Sequence, residues 1–179
     1  DGPDAVAGQE LQSELPRDTS PSVPPDDLNA AAASNNDFGC EMYRILAAGA
    51  GDNLIFSPYS IIQALAMAWA GARGETAQQM AQAMHLTLPQ ERLHPAFNAL
   101  DLAMTADMPR DAEESGQFRL HTANSPWGQV DHPFLDDFLD TLAVNYGAGL
   151  RLVDFREQLE EARQQINAWV SRQTENRIE

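Results

Sequence analysis

Residues 53–72, NLIFSPYSIIQALAMAWAGA, form an uncharged run of twenty positions between Asp52 and Arg73. That length meets the crude criterion for a membrane-spanning helix. The run also contains Ser57, Pro58, Ser60 and Gln63, and these limit what it can become. A serine before a proline is the arrangement of a helix start, because the hydroxyl accepts an orphan amide and the proline has its φ already set. The helix then begins at Pro58 and runs to about Ala70. This leaves roughly a dozen residues, too short for a bilayer core at ~1.5 Å of rise each, and no basic flank sets an orientation. The spacing predicts a buried helix, apolar nearly all round, rather than a membrane span.

The flanking pattern gives a helix-rich chain. Asn36 or Asp37 can cap a helix carrying Phe38, Met42, Ile45 and Leu46, and Gly49 and Gly51 end it. Asn53–Phe56 reads as a short strand. A helix capped near Gly74 or Thr76 carries Met80, Ala83 and Met84 toward Leu86. Pro89–Thr105 reads as another, with Leu93, Phe97, Leu100 and Met104 on one side. Residues 107–116 read as a polar loop, and Phe118–Trp127 alternates as a strand. His132-Pro133 opens a helix with Asp136 and Asp137 in its first turn, where acids suit the dipole. Its inner face is Phe134, Leu135, Phe138, Leu142 and Tyr146. A strand follows over Gly149–Phe155. The last helix, about Arg156 to Arg172, turns Leu159, Ala162, Ile166, Trp169 and Val170 inward. Single strands between helices need partners that this stretch does not contain, so the chain reads as incomplete.

Residues 1–35 hold five prolines and seven acids but one arginine. Such a stretch buries too little apolar surface to offset its ordering entropy, so it is expected to be a disordered tail, with Leu11, Leu15 and Leu28 as points where it could dock. Residues 36–179 are the folded part.

The chain carries 27 acidic and 11 basic residues, a formal charge of −16, and every basic residue is arginine. An acidic surface repels phosphates and argues against nucleic-acid binding. The single cysteine, Cys40, permits no internal disulfide. Among Phe38, Met42 and Ile45 it is expected to be a buried, inert thiol rather than a nucleophile.

No motif points to catalysis. There is no G-x-S-x-G, H-E-x-x-H, paired CxxC or Gly-rich phosphate loop. His132 and Asp136 are spaced like metal ligands on a helix face, but no third ligand accompanies them, and a helix start explains them without a metal. His85, His94 and His121 are scattered through the sequence.

Four blocks resemble the serpins, in that family's order. NLIFSPYSIIQALAMAWAGARGETAQQM is similar to its strand-to-buried-helix passage, an asparagine–apolar–F-S-P-x-S-I pattern followed by G-A-x-G-x-T. FRLHTANSPWGQ resembles its second main-sheet strand, although Pro126 stands where an apolar residue is usual. HPFLDDFLDTLAVNYGAGLRLVDF is similar to the helix and strand that follow. INAWVSRQTENRIE resembles the helix across the sheet face.

The resemblance implies an α+β fold, many helices around a mixed β-sheet, of which this chain would hold an incomplete N-terminal part. It implies a protease inhibitor, monomeric at full length and without cofactor, metal or catalytic residue of its own. A target protease, of the serine or cysteine class, would cleave an exposed reactive loop. That loop would then insert into the main sheet and trap the acylated protease. By position, Ser57, Ser60 and Asn124 match the shutter that controls sheet opening, and Asn167, Trp169 and Thr174 match the helix over the main sheet. The reactive bond lies outside this chain, so the chain alone is expected not to inhibit. An extracellular or periplasmic location follows from the resemblance alone. A non-inhibitory binding or chaperone serpin, and a self-sufficient helical interaction domain, are the alternatives.

Overall fold

Residues 9–49, 51, 53–105 and 122–178 are described by the computed structural model. The first helix, α1 (Pro25–Gly49), begins well before Asn36. Pro25 sets the first turn, Asp26 and Asp27 sit at its positive end, and the alanine run that follows carries no helix penalty. Asp27, Ala31, Ser34 and Phe38 are buried at helical spacing, a stripe of mostly small side chains that lets α1 lie close to its neighbours. The expected disordered tail over residues 1–35 is therefore corrected over its described part. Alanine and serine can make a packing face without the large apolar periodicity that marks most core helices.

The uncharged run forms α2 (Pro58–Gly71), with Pro58 in the first turn and Ser57 as its N-cap, accepting from Ser60 N. Residues 53–57 carry no strand, and Ile55 is 97% exposed. A strand needs a partner for its amides, and none of the described residues supplies one. Helix α3 (Gly74–Ala83) follows from an extended Arg73 without a side-chain cap. Helix α4 (Gln90–Thr105) buries Leu93, His94, Ala96, Phe97 and Asn98.

Three strands make one small sheet in the order β1-β3-β2. They are β1 (Glu10–Leu11), β2 (Trp127–Gln129) and β3 (Leu150–Val153). β3 pairs antiparallel with β1 and parallel with β2. The strand expected over Phe118–Trp127 is reduced to its last residue within the described part. Thr122–Pro126 has no regular structure, because Pro126 has no N–H to offer a ladder. Its carbonyl still accepts from Arg151 N at 3.1 Å. The loop expected over 107–116 and His121 lie outside the described residues. Between β2 and β3 runs α5 (Asp136–Tyr146), ended by Gly147 in the left-handed conformation, φ 61°. The chain closes with α6 (Leu159–Gln173).

Two cores share α2. The first joins Ala31 and Phe38 of α1, Ile62, Ala66 and Trp69 of α2, and Leu93, Ala96 and Phe97 of α4. The second joins Met67 of α2, Leu142 of α5, and Leu150 and Leu152 of β3. Alternation along β3 sends Leu150 and Leu152 into this core and turns Arg151 to the opposite face. There its guanidinium lies over Trp169 of α6.

Several expected inward residues are not covered. Cys40 is exposed rather than buried. It lies two residues beyond Phe38, which puts it on roughly the opposite side of the helix from the buried stripe. Ile45 is 67% exposed and Leu46 39%, since they lie past the end of that stripe. Leu135 and Leu159 are 72% and 66% exposed, each at the start of its helix, before the contact face begins. Among the described residues no helix is long and apolar enough to cross a membrane.

Candidate functional site

The residues singled out in the sequence occupy three places. Ser57 and Ser60 sit together at the head of α2. The Ser57 hydroxyl donates to Ser60 Oγ at 3.1 Å and accepts from Ser60 N at 3.3 Å. One turn further along, Gln63 is 5% exposed and its Nε2 has no hydrogen-bond partner among the described residues.

Asn124 lies elsewhere, in the wall of a cavity of about 260 Å³ that Gln63, Met67, Asn145 and Tyr146 also line. No hydrogen bond links Asn124 to Ser57 or Ser60 among the described residues. The cavity's rim is fixed by charge. Arg17 donates to Asp101 at 2.7 Å and to Asn98 at 2.9 Å, and Tyr59 donates to the other oxygen of Asp101 at 3.3 Å. Burial, with Asp101 beside it, pushes the Tyr59 phenol well above its ordinary range, so it remains a neutral donor. The site is thus a set of amides and phenols beside the first turns of α2, with Gln63 and Asn145 buried and Asn124, Tyr59 and Tyr146 half-buried.

Behind it, His94 of α4 and Tyr146 of α5 meet at 2.6 Å between Nδ1 and the phenol oxygen. Burial, reinforced by Arg73, lowers the His94 pKa to about 4, while burial raises that of Tyr146. At neutral pH the bond therefore joins an uncharged imidazole to an uncharged phenol. Trp69 packs on the same imidazole with ring centroids 5.6 Å apart.

The third place is the outer face of the sheet. Trp169 meets Trp127 edge-on at 6.3 Å, and the Arg151 guanidinium lies 5.9 and 5.8 Å from the two ring centroids. A cation placed beside two indoles in this way is attracted by both. Asn167 is exposed. Thr174 ends the helix, donating to Val170 O at 2.9 Å and accepting from Ile178 N at 3.1 Å. His132 and Asp136 are both exposed, and among the described residues no group of three His, Cys, Asp or Glu could hold a metal ion.

Gln63, Tyr146, His94 and Arg151 were not read from the sequence as site residues. Gln63 and Arg151 do leave a signal, each being the polar residue inside an apolar element. His94 and Tyr146 leave none, because their meeting depends on how α4 and α5 pack.

The profile of the family described as Serpin (serine protease inhibitor) matches residues 33–179. The chain belongs to the serpin family. It is 37% identical over 142 residues to a leukocyte elastase inhibitor of Xenopus tropicalis, covering 79% of this chain and 36% of that one. It is 36% identical over 153 residues to a leukocyte elastase inhibitor of Sus scrofa, covering 84% and 38%. The structure of ovalbumin from emu, Dromaius novaehollandiae, superposes with a TM-score of 0.66 at 25% identity, over 83% of this chain and 40% of that one. The chain thus spans little more than a third of the length of the serpins it matches, and it is the N-terminal portion of the fold. The α+β architecture expected of that portion is the one observed.

Proposed function

We propose that this chain is the N-terminal portion of a serpin-type protease inhibitor that traps its target as a single-use substrate. The observation that carries the reading is the family match over residues 33–179, together with relatives named as elastase inhibitors. In this reading a serine protease attacks a reactive loop in the remainder of the parent protein. The acyl-enzyme forms, and the cleaved loop adds to the main sheet before the ester can be hydrolysed. The free energy comes from filling the sheet, a stored-strain transition between two packed states.

The residues of this chain would serve that transition rather than the bond chemistry. Asn124 and the Ser57–Ser60 pair act as the shutter beneath the central strands, and the buried Gln63 lies one turn along α2 from that pair. Asn167, Trp169 and Thr174 belong to the helix that must shift as the strand enters. In this reading the parent protein acts outside the cell or in the periplasm.

The test is to mix the parent protein with a panel of serine and cysteine proteases and look for a covalent complex that survives a denaturing gel. Such a complex is expected with at least one of them. Plain cleavage of the inhibitor by every protease tested, with none trapped, would overturn the reading in favour of a non-inhibitory binding or chaperone role.

A further inference from the structure

Residues 9–24 lie outside the family match, which starts at residue 33, yet they are built into the body of the protein. β1 runs along the edge of β3 that β2 does not use, with Glu10 opposite Arg151 and Leu11 opposite Leu150. Leu152 N donates to Gln9 O at 2.8 Å, and Leu11 packs on the second core. The Ser13 hydroxyl donates to Asp140 of α5. Asp18 N donates to Val144 O at 2.9 Å, and Asn98 Nδ2 donates to Asp18 O at 2.7 Å. Arg17 is held by Asn98 and Asp101.

The body makes room for this segment. A side chain on Gly147 would meet the Arg17 side chain at 2.9 Å, and one on Gly149 would run into the Glu10 carboxylate. Glu10 also reaches across the sheet edge to Arg151, 3.4 Å between Oε2 and Nη2. Arg151 is the cation beside both Trp127 and Trp169, so one carboxylate of the segment touches the group that seats α6 on the sheet.

We propose that residues 9–18 are an intramolecular edge strap, which occupies the outer edge of β3 and, through Glu10 and Arg151, steadies α6 against the sheet. An uncovered strand edge presents unpaired N–H and C=O groups to any other chain, and proteins cover such edges to avoid pairing with their own copies. Without the strap β3 would keep only its three-residue pairing with β2, and the Leu152 N–H, now bonded to Gln9 O, would be left open. The occupant that would replace the strap is a β-strand of a second copy. The importance given to α6 rests on the proposed function, whereas the edge cover does not.

The experiment uses the parent protein in three forms: intact, lacking residues 1–13, and carrying Glu10→Gln. Hydrogen exchange is read at single amides, with light scattering for size and far-UV circular dichroism to confirm that the helices are kept. In the truncated form the Leu152 amide should exchange about tenfold faster or more, whereas Arg151 N, which faces β2 and bonds to Pro126 O, should stay protected. The truncated protein should also self-associate. In Glu10→Gln, whose strand pairing is intact, Leu152 should be unchanged while the amides around Trp169 in α6 exchange faster. Unchanged Leu152 protection, or a truncated protein that stays monomeric, overturns the edge cover. Unchanged α6 protection in Glu10→Gln overturns the link through Arg151. No protease enters either readout, so a parent protein that fails to inhibit leaves these outcomes standing.

Discussion

The Nδ1 atom of His94 lies 2.6 Å from the phenol oxygen of Tyr146, and no other hydrogen bond holds the imidazole: its Nε2 is buried without a partner among the described residues. Protonating this ring would put a cation into a buried position beside Trp69, with the Arg73 charge acting on it.

The direction of the pH effect follows. The folded His94 pKa is lowered to about 4, below the ~6.5 expected unfolded, so protons bind more readily to the unfolded chain. The neutral ring's contribution is therefore full above about pH 6.5 and is lost as the pH falls toward 4. At ~1.4 kcal/mol per unit, the difference comes to roughly 3 kcal/mol. Denaturant midpoints of the parent protein measured between these limits should fall with acid, and His94→Phe should flatten that part of the profile. An equally steep profile in the variant would show that another group is responsible.

Ser57→Ala removes the acceptor for Ser60 N at the head of α2. The expected loss is ~1 kcal/mol in an unfolding measurement, with Ser57→Thr recovering most of it. Equal losses in both variants would assign the serine's role to something other than capping.

Leu93→Ala tests whether α1, α2 and α4 share a single well-packed core. Leu93 is fully buried beside Phe97 and Ile62, so truncation should cost about 2–5 kcal/mol. A smaller loss, measured by chemical unfolding, would mean that the surrounding helices close over the gap.

Asn124→Ala bears on the shutter. The side chain lines the cavity shared with Gln63 and Tyr146, and removing its amide should make premature opening of the sheet easier. The parent protein carrying this change should form polymers faster on mild heating, as followed by native gels. An unchanged rate would confine Asn124 to a packing role.

Asp27→Asn weakens the tie between α1 and α4. Asp27 receives two hydrogen bonds from Arg92, Nε at 2.9 Å and Nη2, and that guanidinium holds its carboxyl below the usual range. The folded pKa being depressed, this stabilisation is present above the unfolded carboxyl range and lost as acid protonates the pair. The variant should melt earlier than the intact protein near neutral pH, and the difference should shrink steadily as acid takes the pH down through the folded pKa of the pair. A constant difference across that range would contradict the ion-pair account.

Sequence by itself determined the local signals. Ser57-Pro58 starts α2 where the residues say it must, because a cap and a fixed φ act within one turn. The alternation of Leu150, Arg151 and Leu152 marked β3, and Asp136 and Asp137 marked the first turn of α5 for the same local reason. The family resemblance was also legible, since its motifs are contiguous. Tertiary structure alone decided the rest. The helix over Pro25–Asn35 depends on small residues finding a close partner in α4. The pairing of β1 with β3, the meeting of His94 with Tyr146, and the seating of Arg151 against Trp127 and Trp169 join residues far apart in the chain. Such contacts carry no periodic trace in the sequence, because their free energy arises only once the helices have packed and water has been excluded from between them.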